Sequence, residues 1–143
     1  MDQANQRVSM IMVGATDVAS LRQFYEEGLG WSTWGPPPSP ASVMYKVGHS
    51  VLVFLNAGYL AAESGIPAVA TPKSLWAIFV SSKAEVDSMF ARAVAAGAKV
   101  TSPLRDRDGG LYSGYFIDPE GNGWEVVWSP HMPLDTEGAL TLG

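Results

Sequence analysis

The sequence feature that most constrains the fold is the stretch from Tyr112 to Pro130, which predicts two strands joined by a tight turn. Its flanks are rich in aromatic and β-branched residues, which favour pleated strands. The turn segment D-P-E-G-N-G contains a proline, which fixes φ, and glycines and an asparagine, which tolerate positive φ. Alternation along the second strand puts Glu125 on the face opposite to Trp124 and Trp128. Because burial of an unpaired charge is costly, this carboxylate faces either solvent or a site.

The composition is that of one globular domain with an acidic surface. Of the 143 residues, 47% are hydrophobic and 16% are charged, and the net charge is −5. The basic residues form no cluster, which argues against nucleic acid and membranes as partners. The absence of cysteine excludes disulfides and thiolate metal sites. The N-terminal segment shows no apolar run typical of a secretory signal, so we expect a cytoplasmic protein.

Hydrophobic periodicity predicts strands and helices in a repeated order. Before the hairpin, strands are predicted at 8–13, 31–34, 42–47, 50–55, 74–80 and 98–102. Helices are predicted after Asp17 and Ser82, which are suitable N-caps, and glycines end both helices. The proline-rich residues 35–40 are either a spacer at a sheet edge or a wall of a ligand cleft. Residues 56–73 are predicted to be a long, weakly patterned connection.

The two halves of the chain match at a fixed offset, which indicates a duplicated module. Val80 lies 67 positions after Val13, and Gly97 lies 67 positions after Gly30. Module 1 covers about residues 7–56 and module 2 about residues 74–130, within one domain at 1–130 and followed by a tail at 131–143. The predicted fold is α+β, with two tandem βαβββ modules. Each four-stranded half-sheet buries one face under its helix, and the mixed sheets curl around a cleft.

The motif D-P-E-G-N-G-W-E, preceded by Y-F-I, resembles the closing signature of the vicinal oxygen chelate superfamily. This group comprises glyoxalases, bleomycin resistance proteins, fosfomycin resistance proteins and extradiol dioxygenases. The segment V-S-M-I-M-V-G-A-T-D-V is similar to that family's first βα unit. The resemblance spans about residues 7–130. It implies paired βαβββ modules around a cleft that dimerisation commonly completes, so we expect a homodimer.

Enzymes of that family usually hold a divalent metal through four strand positions. The resemblance places these positions near Met10, among Val51 to Phe54, near Leu75 or Trp76, and on Glu125. Only Glu125 is a competent ligand, because methionine suits such cations poorly and leucine, tryptophan and valine are not ligands. One carboxylate does not make a divalent site. We therefore expect no metal and no other cofactor, which argues against the metal-dependent chemistry of the family.

Each polar residue that could belong to a site also has another possible role in the structure. Glu125 is a cleft carboxylate, an ion-pair partner or a solvent-facing residue. Tyr115 matches a position that lines the cleft in some relatives, and its alternative is a core tyrosine with a satisfied hydroxyl. His49, in a predicted hairpin turn, and His131, in the tail, are expected on the surface. No serine shows a nucleophile elbow, so nothing indicates a hydrolase.

Aromatic and methionine side chains on the predicted strands indicate an apolar ligand. If two or three of these rings face the cleft, they would stack on a planar molecule, and methionine adapts to irregular shapes. The predicted ligand-binding residues are Met10, Met12, Tyr45, Phe54, Trp76, Tyr115 and Glu125.

Three functions follow from these patterns. The first, which we favour, is a metal-free binding protein of the bleomycin-resistance type that sequesters a hydrophobic or aromatic molecule, as in antibiotic resistance. The second is a glyoxalase-like lyase, isomerase or other enzyme, with Glu125 as general base and Tyr115 as hydrogen-bond donor, or with Glu125 in an atypical metal site. The third is an interaction module whose cleft has closed.

Overall fold

The computed structural model describes residues 6–67 and 75–141 of the chain. The first half contains β1 (Met10–Ala15), α1 (Val18–Arg22), β2 (Ser42–Val47), β3 (Ser50–Asn56) and α2 (Ala57–Ser64). The second half contains β4 (Leu75–Phe79), α3 (Lys83–Ala95), β5 (Lys99–Asp106), β6 (Tyr112–Ile117) and β7 (Gly123–Trp128). A π-helical segment, Gln23–Gly28, extends α1, and a short 3-10 turn, Asp108–Gly110, precedes β6. None of the helices within the described residues is long and apolar enough to cross a bilayer.

The two halves form separate sheets with the same pattern of pairing. Sheet 1 has the strand order β1–β3–β2, and sheet 2 has the order β4–β7–β6–β5. In each sheet the first strand of the half runs parallel to the last one, with Met10 opposite Val51 and Leu75 opposite Gly123. The remaining neighbours are antiparallel. The predicted α+β fold with two mixed sheets is therefore confirmed, and the pairing follows the repeat in the sequence.

Sheet 1 has one strand fewer than predicted, because residues 31–34 do not form a regular strand. This segment makes a single bridge between Thr33 and Tyr45, and the backbone N–H of Trp34 donates to the carbonyl of Met44 at 2.9 Å. Beyond it, Gly35 takes a φ of 78° and the following prolines have no N–H to donate. Regular pairing along the edge of β2 therefore does not continue past Trp34, and the next bridge joins Ser39 to Ser42.

The segment 56–73, predicted as an irregular connection, begins with α2. The side-chain oxygen of Asn56 accepts a hydrogen bond from the backbone N–H of Tyr59 at 2.9 Å, and Gly65 ends the helix with a φ of 72°. An asparagine cap, a run of alanines and a closing glycine are helix signals, and here they outweigh the weak apolar pattern. The end of the predicted connection, and Ser74 of the next predicted strand, lie outside the described residues.

Both predicted helices form with the predicted caps. The carboxylate of Asp17 accepts from the backbone N–H of Ser20 at 3.1 Å, and the hydroxyl of Ser82 accepts from the backbone N–H of Glu85 at 3.1 Å. In α3 the buried side chains are Val86, Phe90 and Ala93, whereas Val94 beside them is 45% exposed.

The helices of both halves pack into one core that the two sheets share. The ring of Tyr25 lies 5.3 Å from Phe54 of sheet 1 and 6.3 Å from Trp124 of sheet 2. Phe24 lies 6.4 Å from Phe116 of sheet 2. All five rings are buried in a single cluster. The faces of the two sheets that carry the helices therefore converge on the same aromatic residues.

The turn between β6 and β7 is tied to the first half through a buried carboxylate. One oxygen of Asp118 accepts from the hydroxyl of Tyr25 and from the side-chain amide of Asn122, both at 2.7 Å. The other oxygen accepts from the backbone N–H groups of Glu120 and Asn122, both at 2.9 Å. The hydroxyl of Tyr25 in turn accepts from the indole N–H of Trp124 at 2.9 Å. Asp118 thus joins the hairpin turn to the extension of α1.

A second carboxylate of the same turn binds the start of α1. Glu120 accepts from the backbone N–H of Thr16 at 2.7 Å, from the Thr16 hydroxyl at 2.8 Å and from the backbone N–H of Asp17 at 3.1 Å. A carboxylate beside the first N–H groups of a helix is favourable, because those groups carry partial positive charge. The D-P-E motif therefore holds both the beginning of α1 and its extension.

We expect Asp118→Ala to lower the free energy of unfolding by about 3 kcal/mol, because it leaves four donors without their acceptor. Tyr25→Phe keeps the ring and removes one of these donors, so about 1 kcal/mol is expected. Urea denaturation followed by tryptophan fluorescence measures both values.

Asp135→Ala is the matched control for this experiment. The carboxylate of Asp135 also accepts two backbone N–H bonds, from Glu137 and Ala139, but in an exposed turn. Its replacement is expected to change stability by no more than about 0.5 kcal/mol. Equal losses in Asp118→Ala and Asp135→Ala would show that the buried network does not hold the two halves together.

Candidate functional site

A cavity of about 910 Å³ opens between the two sheets. Its walls come from β1, β2 and β3 of sheet 1, from β4 and β7 of sheet 2, and from the segment 31–34 that bridges to β2. Its volume lies in the range of pockets that hold small organic ligands. The largest side chains in its lining are Trp31, Trp34, Tyr45, Trp76 and Trp124.

Four of the five tryptophans of the chain line this cavity. Trp124, on β7, meets Trp31 edge to face at 5.9 Å and Trp76 at 5.1 Å. Such contacts are favourable and fix the ring orientations. Trp34 is 47% exposed, so part of its ring is open to a ligand. The aromatic walls therefore offer large apolar surfaces at fixed angles, a shape that suits a planar molecule.

The hydroxyl of Tyr45 is engaged behind the cavity wall. It donates to Glu26 at 2.9 Å, and Arg22 holds the same carboxylate through two bonds of 2.7 and 3.0 Å. Burial, and then the bond to Glu26, raises the pKa of Tyr45 above its usual value. The hydrogen bond from Arg22 lowers the pKa of Glu26. Tyr45 therefore keeps its proton and contributes ring surface to the site, while Glu26 is a carboxylate whose partners are already inside the protein.

Lys46 is the one residue with a formally charged side chain in the lining of this cavity, and it lies at the rim, because it is exposed and alternates with the buried Tyr45 on β2. Its ammonium group lies 5.3 Å from the centre of the Trp34 ring, a cation–π distance. Ser32 and Thr33 add two hydroxyl groups from the adjacent segment. The polar part of the site is thus small and lies where residues 31–34 meet β2.

Of the seven predicted ligand-binding residues, the structure places Tyr45 and Trp76 in the cavity wall. Phe54 is fully buried, stacks on the ring of Tyr25 and is absent from the lining of the cavity. Met10 and Met12 alternate away from the core, and Met12 is 57% exposed. Two of the predicted aromatic residues, Tyr45 and Trp76, therefore lie together in the cavity wall, whereas the two methionines lie on the outer face of sheet 1.

Tyr115 and Glu125 lie directly opposite each other on β6 and β7. Their neighbours Phe116 and Trp124 point into the core, so this pair lies on the other face of sheet 2 and does not line the cavity. The guanidinium of Arg107 lies 4.8 Å from the centre of the Tyr115 ring. Burial, and then the neighbouring Glu125 carboxylate, raises the pKa of Tyr115.

The side chains at the positions that the resemblance assigns to metal ligands do not fit a divalent cation. Met10 lies beside Val51 in sheet 1, and Glu125 lies beside Ala77 in sheet 2. These positions supply one carboxylate. Across residues 6–67 and 75–141, no three His, Cys, Asp or Glu side chains come close enough together to hold a metal ion.

Several residues of the cavity were not predicted from the sequence. Trp31, Trp124 and Lys46 were missed as site residues, although the pair of tryptophans flanking Ser32 and Thr33 was a signal for an aromatic wall. The proline-rich residues 35–40 lie outside the lining, as a spacer at the edge of β2. His49 and His131 are both exposed, as expected.

Comparison with known families identifies one match over most of the chain. The sequence model of the Glyoxalase/Bleomycin resistance protein/Dioxygenase superfamily matches residues 7–126. A search of curated proteins finds no match.

Solved structures share the fold over nearly the whole chain. A glyoxalase-related enzyme from Fulvimarina pelagi is 30% identical, with a TM-score of 0.87 over 95% of this chain and 97% of that chain. A lactoylglutathione lyase from Agrobacterium tumefaciens is 25% identical, with a TM-score of 0.68 over 88% of this chain and 96% of that chain. TioX from Micromonospora sp. ML1 is 21% identical, with a TM-score of 0.63 over 85% of this chain and 98% of that chain, a likeness of fold alone.

Because Tyr25 and Tyr45 have raised pKa values, we predict that the protein loses stability at high pH. The pKa values of Tyr25 and Tyr45 are raised by burial and by their carboxylate partners, so both stay protonated in the folded state when the unfolded chain ionises near pH 10. Below that pH the two protonated tyrosines make their full contribution to the free energy of unfolding. Above it, this contribution falls by up to about 1.4 kcal/mol per pH unit for each tyrosine.

Urea unfolding at a series of pH values from 8 to 11 tests this expectation. The double variant Tyr25→Phe/Tyr45→Phe is expected to start less stable and to fall less steeply with pH than the unmodified protein. Parallel slopes for the two proteins would contradict the assignment.

Proposed function

Since the chain belongs to the Glyoxalase/Bleomycin resistance protein/Dioxygenase superfamily, we propose that it is a small-molecule-binding protein of the bleomycin-resistance type that works without a metal. Its ligand is a hydrophobic or aromatic molecule held in the cavity between the sheets. The observation that carries the proposal is the cavity wall, which combines four tryptophans with no carboxylate or imidazole among the described lining residues.

The physical basis of binding is burial and stacking of apolar surface. Removal of apolar surface from water contributes about 25 cal/mol per Å², and aromatic pairs add roughly 0.5–1.5 kcal/mol beyond burial. The rings of Trp31, Trp76 and Trp124 are already oriented by their mutual contacts, so little ordering is needed when a ligand enters. Stoichiometric binding of this kind needs no catalytic residue, and sequestration of an aromatic antibiotic is one form that it takes.

An enzyme built on Glu125 is less well supported than a binding protein. The carboxylate lies on the outer face of sheet 2 opposite Tyr115, away from the aromatic cavity. A general base must reach the proton that it removes, and Glu125 is absent from the lining of the cavity in which a ligand would stack. We therefore assign it no catalytic role.

Trp76→Leu is expected to weaken binding of a neutral aromatic probe, N-phenyl-1-naphthylamine, by about three- to tenfold, because one stacking surface is lost. Trp128→Leu is the matched control, since Trp128 is the one tryptophan outside the cavity lining. Probe fluorescence gives the dissociation constants. Equal affinities in the two variants would mean that the probe binds elsewhere.

Calorimetric titration with zinc, nickel, manganese and ferrous ions is expected to give no stoichiometric binding, either in the unmodified protein or in Glu125→Ala. The reason is that the assigned ligand positions supply one carboxylate, whereas a divalent site needs several donors with defined geometry. Binding of one equivalent that disappears in Glu125→Ala would instead support a metalloenzyme.

A further inference from the structure

The charge of the cavity lining indicates the class of ligand. We infer that the site takes planar aromatic anions, meaning aromatic molecules that carry a carboxylate, sulfonate or phosphate group. This inference rests on the proposed function, because it concerns the ligand of the same cavity. Its basis is that Lys46 is the one formally charged side chain in the lining, which contains no carboxylate among its described residues.

Lys46 has no carboxylate partner within the described parts of the chain. The two ion pairs found there are Arg22 with Glu26 and Lys83 with Asp106. The side chain of Lys46 is exposed on β2, and its ammonium group lies over the ring of Trp34. An unpaired ammonium at the edge of an aromatic cavity is available to an anionic group on a ligand whose rings enter the cavity.

A cationic ligand fits this cavity less well, although aromatic rings attract cations and the chain carries a net charge of −5. Lys46 already occupies a face of Trp34 and would repel a second cation nearby. The carboxylate that accepts from the wall residue Tyr45 is Glu26, which is also bound by Arg22 and is absent from the lining. A cation would therefore enter without a counter-charge.

Hydroxyl groups next to Lys46 complete the polar edge of the site. Ser32 and Thr33 lie in the lining, and Thr33 pairs with Tyr45, the residue that precedes Lys46 on β2. Hydroxyls donate to anionic oxygens as readily as they accept from donors. The apolar and cationic parts of the cavity thus match the two ends of one amphipathic aromatic molecule.

Two probes that share a ring system but differ in charge separate the effect of the charge on affinity from the effect of the rings. 8-Anilinonaphthalene-1-sulfonate carries the ring system of N-phenyl-1-naphthylamine together with one sulfonate. In Lys46→Met we expect affinity for the sulfonate to fall about five- to tenfold, and affinity for the neutral probe to change less than twofold. Lys46→Arg, which keeps the charge, is expected to retain most of the affinity for the sulfonate.

Lys99→Met is the control for the loss of one positive charge, because Lys99 is exposed on β5 and lies outside the lining. It is expected to leave the affinities for both probes within twofold of the unmodified protein. If Lys46→Met and Lys99→Met weaken the sulfonate equally, or if Lys46→Met affects both probes alike, anion recognition by Lys46 is overturned while binding of aromatics stands. If the unmodified protein binds neither probe, the proposed function and this inference fall together.

Discussion

The hydrogen bond from the hydroxyl of Tyr25 to the carboxylate of Asp118 connects the two halves of the molecule. The hydroxyl also accepts from the indole N–H of Trp124, so it fixes one wall of the cavity. The ring of Tyr25 lies 4.8 Å from Trp31 and 5.9 Å from Tyr45, which belong to the opposite wall. One side chain therefore sets the spacing between aromatic surfaces from both halves, and the cavity depends on it.

In this arrangement the D-P-E-G-N-G motif forms a turn and also binds the other half of the chain. The proline and the glycines of D-P-E-G-N-G shape the connection between β6 and β7, while the two carboxylates of the motif bind α1 and its extension. A buried carboxylate with four hydrogen bonds is favourable because each donor would otherwise lose its partner in the interior. The two halves of the repeat are thus joined into a single structure with one shared core.

Local signals were sufficient to predict most of the elements. The predicted strand at 42–47 has the bounds of β2, and caps at Asp17 and Ser82 begin the two helices as expected. The partner of Asp118 was not predictable from local pattern, since Tyr25 lies 93 positions away.

The sequence indicated that the site is aromatic, but it did not show which faces of the strands line it. Alternation separates Trp124 from Glu125, but the choice of face that borders a cavity depends on how the two sheets pack. The structure places Trp76 in the lining of the cavity, and Glu125 and Met12 outside it.

The ligand site is thus the aromatic cavity between the sheets, and not the outer faces that carry Met10 and Glu125. The most direct measurement is a crystal structure of the protein soaked with 8-anilinonaphthalene-1-sulfonate. Electron density for the probe rings is expected among Trp31, Trp76 and Trp124, with the sulfonate near Lys46. Density for the probe against Glu125 and Tyr115, with the cavity free of it, would place the ligand site on the outer face of sheet 2 instead.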